Sequence, residues 1–142
     1  MLELGCKSLL AYLLGSLIGS LIVGRLRGGG DIRTLGSGNA GGTNALRTQG
    51  AGFAAWVMLI DIGKGWLATA VLPGITLPGI GIDSTLARDW LTVACACGAV
   101  LGHVYPVWHG FRGGKGAATL IGVAIGIEPM ARGLLLVVRD LL

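Results

Sequence analysis

The hydrophobic and polar positions divide the chain into long apolar stretches separated by short polar loops. Four stretches are nearly free of Lys, Arg, Asp and Glu. They cover residues 8–24, residues from after 50 to about 72, residues 90–107 and residues 116–127. A helix needs about 20 mostly apolar residues to cross roughly 30 Å of hydrocarbon. The pattern therefore predicts an all-α fold, a polytopic transmembrane helix bundle with about four to five spans.

The end of the chain is less regular than its beginning. Glu128 and Pro129 are expected to end the fourth stretch, and residues 133–138 are expected to begin a fifth. We expect residues 1–142 to form a single integral membrane domain.

Composition supports the membrane interpretation and excludes several other classes. Of 142 residues, 53% are hydrophobic and 13% charged, which argues against a water-soluble domain. The 27 glycines lie among apolar residues, and the pairs at 15/19, 98/102 and 122/126 favour close helix packing. Three cysteines lack disulfide or zinc-ligand spacing, so we expect no metal site. The net charge of +4 has no extended basic face, which argues against a nucleic-acid partner.

Positive charge is concentrated in two loops that must lie on the same side of the membrane. These loops follow the first and third stretches and contain Arg25, Arg27, Arg33 and Arg47, and Arg112 and Lys115, respectively. The opposite side has Lys7, Arg88 and Arg132, partly balanced by acidic residues. Because short cytoplasmic loops retain positive charge, both basic loops are predicted to be cytoplasmic and the N-terminus to lie outside.

The first loop, residues 31–50, combines glycines with short polar side chains. Its sequence is DIRTLGSGNAGGTNALRTQG. Glycines allow backbone N–H groups to converge on an anion, while Ser, Asn and Thr add donors and Arg adds charge. This composition predicts a phosphate site. A solvated loop whose arginines meet anionic lipid headgroups is the alternative.

The second loop, residues 102–119, repeats this chemistry with the sequence GHVYPVWHGFRGGKGAAT. A predicted helix follows immediately, and its N-terminus offers unpaired N–H groups to a phosphate. The loop is not a P-loop, because His109 stands in place of the required glycine and Gly116 in place of the required hydroxyl. His103 is interpreted either as a general base or as a helix-end histidine bonded to a carbonyl.

Asp61 and Lys64 are charged residues inside the second apolar stretch. A spacing of three places both on one helix face, where they can pair within the bilayer. Such charges usually face a cavity or the bundle interior. Support of the site and simple structural pairing are the two interpretations. A transporter would also use such a pair, but its site would lie at the midplane rather than in loops on one face.

Three segments resemble the motifs of the bacterial acyl-phosphate:glycerol-3-phosphate acyltransferases of the PlsY family. They are GSGNAGGTN at 36–44, DIGKG at 61–65 and the second loop at 102–119. The order and spacing match as well, over roughly residues 9–123.

The resemblance implies transfer of a fatty acyl group from acyl phosphate to the 1-hydroxyl of glycerol 3-phosphate. The products are 1-acylglycerol 3-phosphate (lysophosphatidate) and phosphate, at the cytoplasmic face of the bacterial inner membrane, with membrane lipids as neighbours and no cofactor. Another acyltransferase class, which uses thioester donors, has an Asp five residues after a His; here Trp108 follows His103 and Gly114 follows His109 at that distance. This favours the acyl-phosphate donor. The alternative function is a non-catalytic small membrane protein, or an inactive fragment of such an enzyme.

The resemblance also implies the site residues. Ser37, His103 and Lys115 are expected to be catalytic, with Ser37 orienting substrate, His103 as a possible proton acceptor and Lys115 contacting phosphate. Asp61 and Lys64 are expected to support the site. The remaining predicted residues bind substrate: Gly36, Gly38, Asn39, Asn44, Arg47, Arg112, Gly113 and Gly114.

The chain departs from the family pattern after about residue 123. Family members are longer, with about seven spans and a third cytoplasmic motif containing His, Asn and Arg. Here the last residues include Glu128, Arg132 and Arg139 where apolar sequence is expected. We hypothesise a truncated or frameshifted product.

Overall fold

The computed structural model describes the backbone of residues 1–141 and the side chains of residues 1–129. All regular structure within that part is helical, which confirms the predicted all-α class. The α-helices are α1 (Leu2–Gly15), α2 (Gly19–Leu26), α3 (Gly42–Gln49), α4 (Ala51–Trp66), α5 (Arg88–Val104) and α6 (Ala117–Leu141).

The helices form four apolar units that follow the four predicted stretches. The segments Ala51–Gly74, which continues α4 through a π-helical turn, and Arg88–His109 are each long and apolar enough to cross a membrane. α1 and α2 meet at a bend of 50° and make a third such span if they are counted together. α6 contributes a shorter apolar stretch, Ala117–Pro129. The segment count is thus close to the prediction.

The first unit begins earlier than predicted, at Leu2 rather than residue 8. Glu3 and Lys7, which the sequence placed in an outer loop, are buried and paired at 2.7 Å. Arg88 donates two hydrogen bonds to the Glu3 carboxylate, and Lys7 Nζ donates to the Pro73 carbonyl at 2.8 Å. Charges are tolerated inside a bundle when they are paired. Lys7 therefore lies inside α1 rather than before the first span, and its place on the side opposite the basic loops stays a prediction.

α6 continues through Pro129, so the prediction that Glu128 and Pro129 end the fourth segment was wrong. A proline removes one backbone donor but does not by itself terminate a membrane helix, because neighbouring groups satisfy the freed carbonyl. Residues 133–138 extend the same backbone helix and do not begin a fifth. Their side chains lie outside the described part.

Close helix packing depends on the glycine pairs that the sequence indicated. α1 packs against α5 and α4 packs against α6. A Cβ on Gly102 would overlap the Tyr12 carbonyl oxygen, and one on Gly122 would overlap the Ile62 carbonyl oxygen. Backbones approach this closely only where a side chain is absent. The packing fixes α4, α5 and the start of α6 beside one another, which places the two glycine-rich loops at one end.

Candidate active site

Both glycine-rich loops line one cavity of about 390 Å³. Its walls come from the first loop, the second loop, the middle of α4 and the first turn of α6. The lining residues are Ser37, Asn39, Gly41, Gly42, Thr43, Asn44, Arg47, Met58, Asp61, His103, Lys115, Gly116, Ala117, Ala118 and Ile121. Both loops therefore lie at one end of the helix bundle, and the side of the membrane on which they lie stays a prediction.

Asn44 organises the first loop from its centre. Its side chain is 3% exposed, and its Oδ1 accepts a hydrogen bond from the Ser37 amide at 3.2 Å. Its Nδ2 lies within hydrogen-bond distance of the carbonyls of Ile32, Leu35 and Asn39, at 3.3, 3.0 and 2.9 Å. The side-chain amide of Asn44 therefore forms its hydrogen bonds with backbone groups of the same loop. Asn44 lines the cavity, but its hydrogen bonds stabilise the loop backbone.

Two glycines shape the same loop without lining the cavity. Gly36 and Gly38 have φ of +53° and +75°, a region that L side chains rarely adopt. A Cβ on Gly36 would also overlap Asn44 Oδ1. The predicted binding glycines therefore act by letting the backbone turn around Asn44.

Arg33 connects the two loops. Its guanidinium donates to both oxygens of the Asp31 carboxylate through Nε and Nη2. Its Nη1 donates to the carbonyls of His109 at 2.7 Å and Arg112 at 2.9 Å. The Arg33 guanidinium lowers the pKa of the Asp31 carboxyl below its usual range. Arg33 was noticed in the sequence only as a charge; its contacts to residues 76 and 79 positions away depend on the tertiary fold.

The second loop folds back onto the end of α5. The Gly113 amide donates to the Val104 carbonyl at 3.1 Å, and the Gly114 amide donates to the His103 carbonyl at 3.2 Å. A Cβ on Gly114 would lie 2.5 Å from His103 Nε2. Gly113 and Gly114 lie outside the cavity wall, and the absence of a side chain on Gly114 lets the loop backbone approach the His103 ring.

Three buried titratable side chains form a cluster at the cavity floor. Lys64 Nζ lies 2.9 Å from Asp61 Oδ1, 2.9 Å from His103 Nδ1 and 2.7 Å from the Leu17 carbonyl oxygen. Asp61 Oδ1 also accepts a hydrogen bond from the Gly19 amide at 3.1 Å. Asp61 is fully buried, and His103 is 1% exposed. The predicted pairing of Asp61 with Lys64 is present, and His103 from α5 joins it.

Cationic side chains face the cavity without a carboxylate partner. Arg47 and Lys115 both line it and are both exposed, and neither forms an ion pair among the described residues. Arg112, predicted to bind substrate, does not line the cavity; its carbonyl accepts the bond from Arg33. The cavity thus presents unneutralised positive charge on two sides.

Two helices, α3 and α6, have their N-termini at the same cavity. α3 begins at Gly42 with no side-chain cap, and α6 begins at Ala117, two residues after Lys115. First-turn N–H groups have no helical acceptor and carry the positive end of the helix dipole. Together with the two cations, they make the cavity suited to oxygen anions such as phosphate.

One wall of the cavity is apolar. Met58, Ala118 and Ile121 line it, and Ile121 is also 47% exposed on the helix surface. The cavity therefore has a polar end at the loops and an apolar side that reaches the outside of the bundle. The sequence analysis did not single out Met58 or Ile121, because isolated apolar residues in apolar helices carry no distinguishing signal.

The structure therefore separates the predicted site residues into two groups. Those lining the cavity are Ser37, Asn39, Asn44, Arg47, Asp61, His103 and Lys115, and those behind it are Gly36, Gly38, Lys64, Arg112, Gly113 and Gly114. Their chemical roles stay predictions.

The chain belongs to the glycerol-3-phosphate acyltransferase family. The family model with that description matches residues 6–140. This confirms the family indicated by the three motifs, and the proposed truncation stays a prediction.

Curated relatives carry the same description. The glycerol-3-phosphate acyltransferase of Halalkalibacterium halodurans is 45% identical over 121 residues, which are 85% of this chain and 55% of the relative. That of Zymomonas mobilis is 48% identical over 115 residues, 81% of this chain and 53% of the relative. The chain thus spans about half the length of the curated relatives it matches.

Crystal structures of PlsY (YgiH), described as an integral membrane glycerol 3-phosphate acyltransferase, share the fold. The glycerol 3-phosphate form is 37% identical with a TM-score of 0.70, and the match covers 89% of this chain and 58% of that one. The lysophosphatidic acid form is 36% identical, with a TM-score of 0.67 and the same coverage. The present chain is accordingly a membrane protein.

Proposed function

We propose that this chain transfers a fatty acyl group from acyl phosphate to the 1-hydroxyl of glycerol 3-phosphate. The observation that carries the proposal is the single cavity at which both loops, two unpaired cations and two helix N-termini meet. Its relative PlsY is described with glycerol 3-phosphate and with lysophosphatidic acid, the acceptor and product of this reaction.

Two phosphorylated reactants match the distribution of charge in the cavity. Arg47 projects from the first loop and Lys115 from the second, so each cation is available to one phosphate group. Ser37, exposed at the cavity, provides a short hydroxyl to orient a substrate. Met58 and Ile121 provide an apolar path for the acyl chain toward the lipid.

The reaction needs neither a covalent enzyme intermediate nor a metal. The hydroxyl oxygen of the acceptor attacks the acyl carbon, and the bond between that carbon and the phosphate oxygen breaks. The phosphate leaves with the bonding electrons, and one of its oxygens takes the hydroxyl proton. Positioning and electrostatic stabilisation of the developing charge supply the catalysis.

The proposed location is the inner membrane of a bacterium, with the cavity at the cytoplasmic face. The basic loops support this orientation, since Arg and Lys are retained on the cytoplasmic side. Acyl phosphate is the proposed donor because neither histidine has an aspartate five residues later, as the thioester-dependent class requires.

The test is phosphate release by the full chain reconstituted in lipid nanodiscs. With palmitoyl phosphate as donor, release is expected to depend on added glycerol 3-phosphate, and palmitoyl-CoA is expected to give no acylated product. Lys115→Ala is expected to lower the rate about 100-fold, a typical loss for one electrostatic contact to the transition state. Arg25→Ala, which removes an exposed cation outside this cavity, is the charge-matched control.

Other outcomes of this assay contradict the proposed enzyme or indicate a non-catalytic protein. Equal release by the parent chain and Lys115→Ala, or release independent of glycerol 3-phosphate, contradicts the proposed enzyme. Binding of glycerol 3-phosphate without turnover indicates a non-catalytic membrane protein or an inactive fragment.

A further inference from the structure

The contacts around Lys64 determine which nitrogen of His103 carries a proton. An ammonium group has three N–H donors and no lone pair. Three acceptors surround Lys64 Nζ: the Leu17 carbonyl oxygen at 2.7 Å, Asp61 Oδ1 at 2.9 Å and His103 Nδ1 at 2.9 Å. Lys64 thus donates a hydrogen bond to the Leu17 carbonyl and forms an ion pair with Asp61, and its contact with His103 is a hydrogen bond only when Nδ1 carries a lone pair.

The other protonation states of His103 do not fit these contacts. A proton on Nδ1 would face the ammonium hydrogens of Lys64 across 2.9 Å, and a positively charged ring would add repulsion between two buried cations. Asp61 Oδ1 lies 3.6 Å from Nδ1, too far to compete as its hydrogen-bond partner. The neutral ring with its proton on Nε2 is the form that the cluster stabilises.

The other ring nitrogen, Nε2, belongs to a side chain that lines the cavity. His103 lines the cavity and is 1% exposed, and its Nε2 has no hydrogen-bond partner in the part of the chain that the structure describes. The Gly114 backbone approaches this edge of the ring closely, since a Cβ there would lie 2.5 Å from Nε2.

We infer that His103 acts on substrate as a neutral hydrogen-bond donor through Nε2, and that Lys64 is the positioning residue that sets this tautomer. The inference rests on the proposed function for its ligand, an oxygen of a phosphorylated substrate. It contradicts the interpretation of His103 as a general base, because its one lone pair lies on Nδ1 and faces Lys64. The hydroxyl proton then has to pass to a substrate oxygen.

The tautomer is measurable without turnover. The chain has two histidines, so His109→Gln leaves His103 as the sole histidine for ¹⁵N labelling. In nanodiscs near pH 7, we expect a protonated-type ¹⁵N shift for Nε2 and a lone-pair-type shift for Nδ1. Inorganic phosphate is expected to shift the Nε2–H proton downfield. A protonated Nδ1, or protons on both nitrogens, would overturn the inference.

Substitution of Lys64 tests its positioning role in the same sample. Without the ammonium, Asp61 becomes the nearest partner of Nδ1, so Lys64→Met is expected to move the proton from Nε2 to Nδ1. Lys64→Arg keeps a cationic donor and is expected to preserve the tautomer. If Lys64→Met folds and its His103 tautomer is unchanged, Lys64 does not set the tautomer. If that variant does not fold, the measurement with Lys64 intact still decides the tautomer.

Activity separates a donor from a base. Gln places an amide N–H near the position of the histidine Nε2 but has no basic nitrogen. The rate of His103→Gln is expected to stay within about tenfold of that of the parent chain. The rate of His103→Leu is expected to fall about 100-fold, which is typical when one hydrogen-bond donor to the transition state is removed. Equal loss in both variants indicates a base and overturns the donor role. Absence of turnover in the parent chain contradicts the proposed function and leaves the NMR result standing.

Discussion

Removal of the Arg33 guanidinium is expected to release the two loops from each other. Arg33→Met keeps much of the apolar side-chain length but deletes the bonds to the carbonyls of His109 and Arg112. These are the cross-loop hydrogen bonds that Arg33 provides. The helix packing lies elsewhere, so the bundle is expected to remain folded.

The magnitude follows from the two lost bonds. A hydrogen bond to a charged group contributes about 1.5–3 kcal/mol in a buried setting. The bond to Arg112 is exposed, so the pair is worth about 2 kcal/mol in total. That free energy corresponds to about a 30-fold change in the equilibrium between docked and open loops.

Hydrogen exchange by mass spectrometry measures the opening directly. Peptides covering residues 36–44 and 110–116 are expected to exchange up to about 30-fold faster in Arg33→Met, while peptides from α1 and α5 keep their protection. Arg25→Met is the matched control, since Arg25 is an exposed arginine whose side chain forms no hydrogen bond among the described residues. Unchanged exchange in Arg33→Met, or equal acceleration by both variants, would refute the proposed connection between the loops.

The remaining predictions concern the fold around the site. Gly122→Ala is expected to lower the thermal unfolding temperature because its Cβ overlaps a carbonyl of α4, whereas Gly63→Ala, with open space around it, is expected to be neutral or to stabilise the helix by about 0.5–1 kcal/mol. Equal destabilisation by both would contradict the packing argument. The Asp31 pKa is lowered in the folded chain, so its contribution to stability is full above its unfolded pKa of about 4 and declines as the pH falls through the folded value. The difference in unfolding temperature between the parent chain and Asp31→Asn is therefore expected at neutral pH and to shrink under acidic conditions, and a constant difference would remove the role of that charge. Asn44 can form about three hydrogen bonds at once, because its Oδ1 accepts one and its amide has two N–H donors for three nearby carbonyls. At about 1 kcal/mol each, Asn44→Leu is expected to lower unfolding stability by roughly 3 kcal/mol in denaturant titration. A loss below about 1 kcal/mol would show that Asn44 does not organise the loop.

The glycine-rich loops were predictable because their chemistry is local in sequence. Ser37, Asn39 and Arg47 lie within one loop. Lys115 lies just before the N-terminus of α6. The two predicted spans between the loops placed them on the same side of a membrane, and their positive charge predicted that this side is cytoplasmic. The structure brings these residues to one cavity, as the sequence required.

Longer-range connections were not predictable from residue spacing. The i to i+3 relation of Asp61 and Lys64 was visible, but the position of His103 beside them depends on how α4 packs against α5. The same limit applies to Lys7, whose charge is paired with Glu3 in a cluster that Arg88 joins from 85 residues away in sequence.

The sequence by itself determined the helical class, the polar loops on one membrane face and the glycines that let helices touch, because hydrophobic spacing and backbone freedom are properties of neighbouring residues. Tertiary structure decided which charged groups meet. Lys64 and His103 come from different helices, and the carbonyls that Arg33 binds come from a different loop. Hydrogen bonds act over about 3 Å, so the protonation of a buried histidine depends on the packing of these elements and not on any motif.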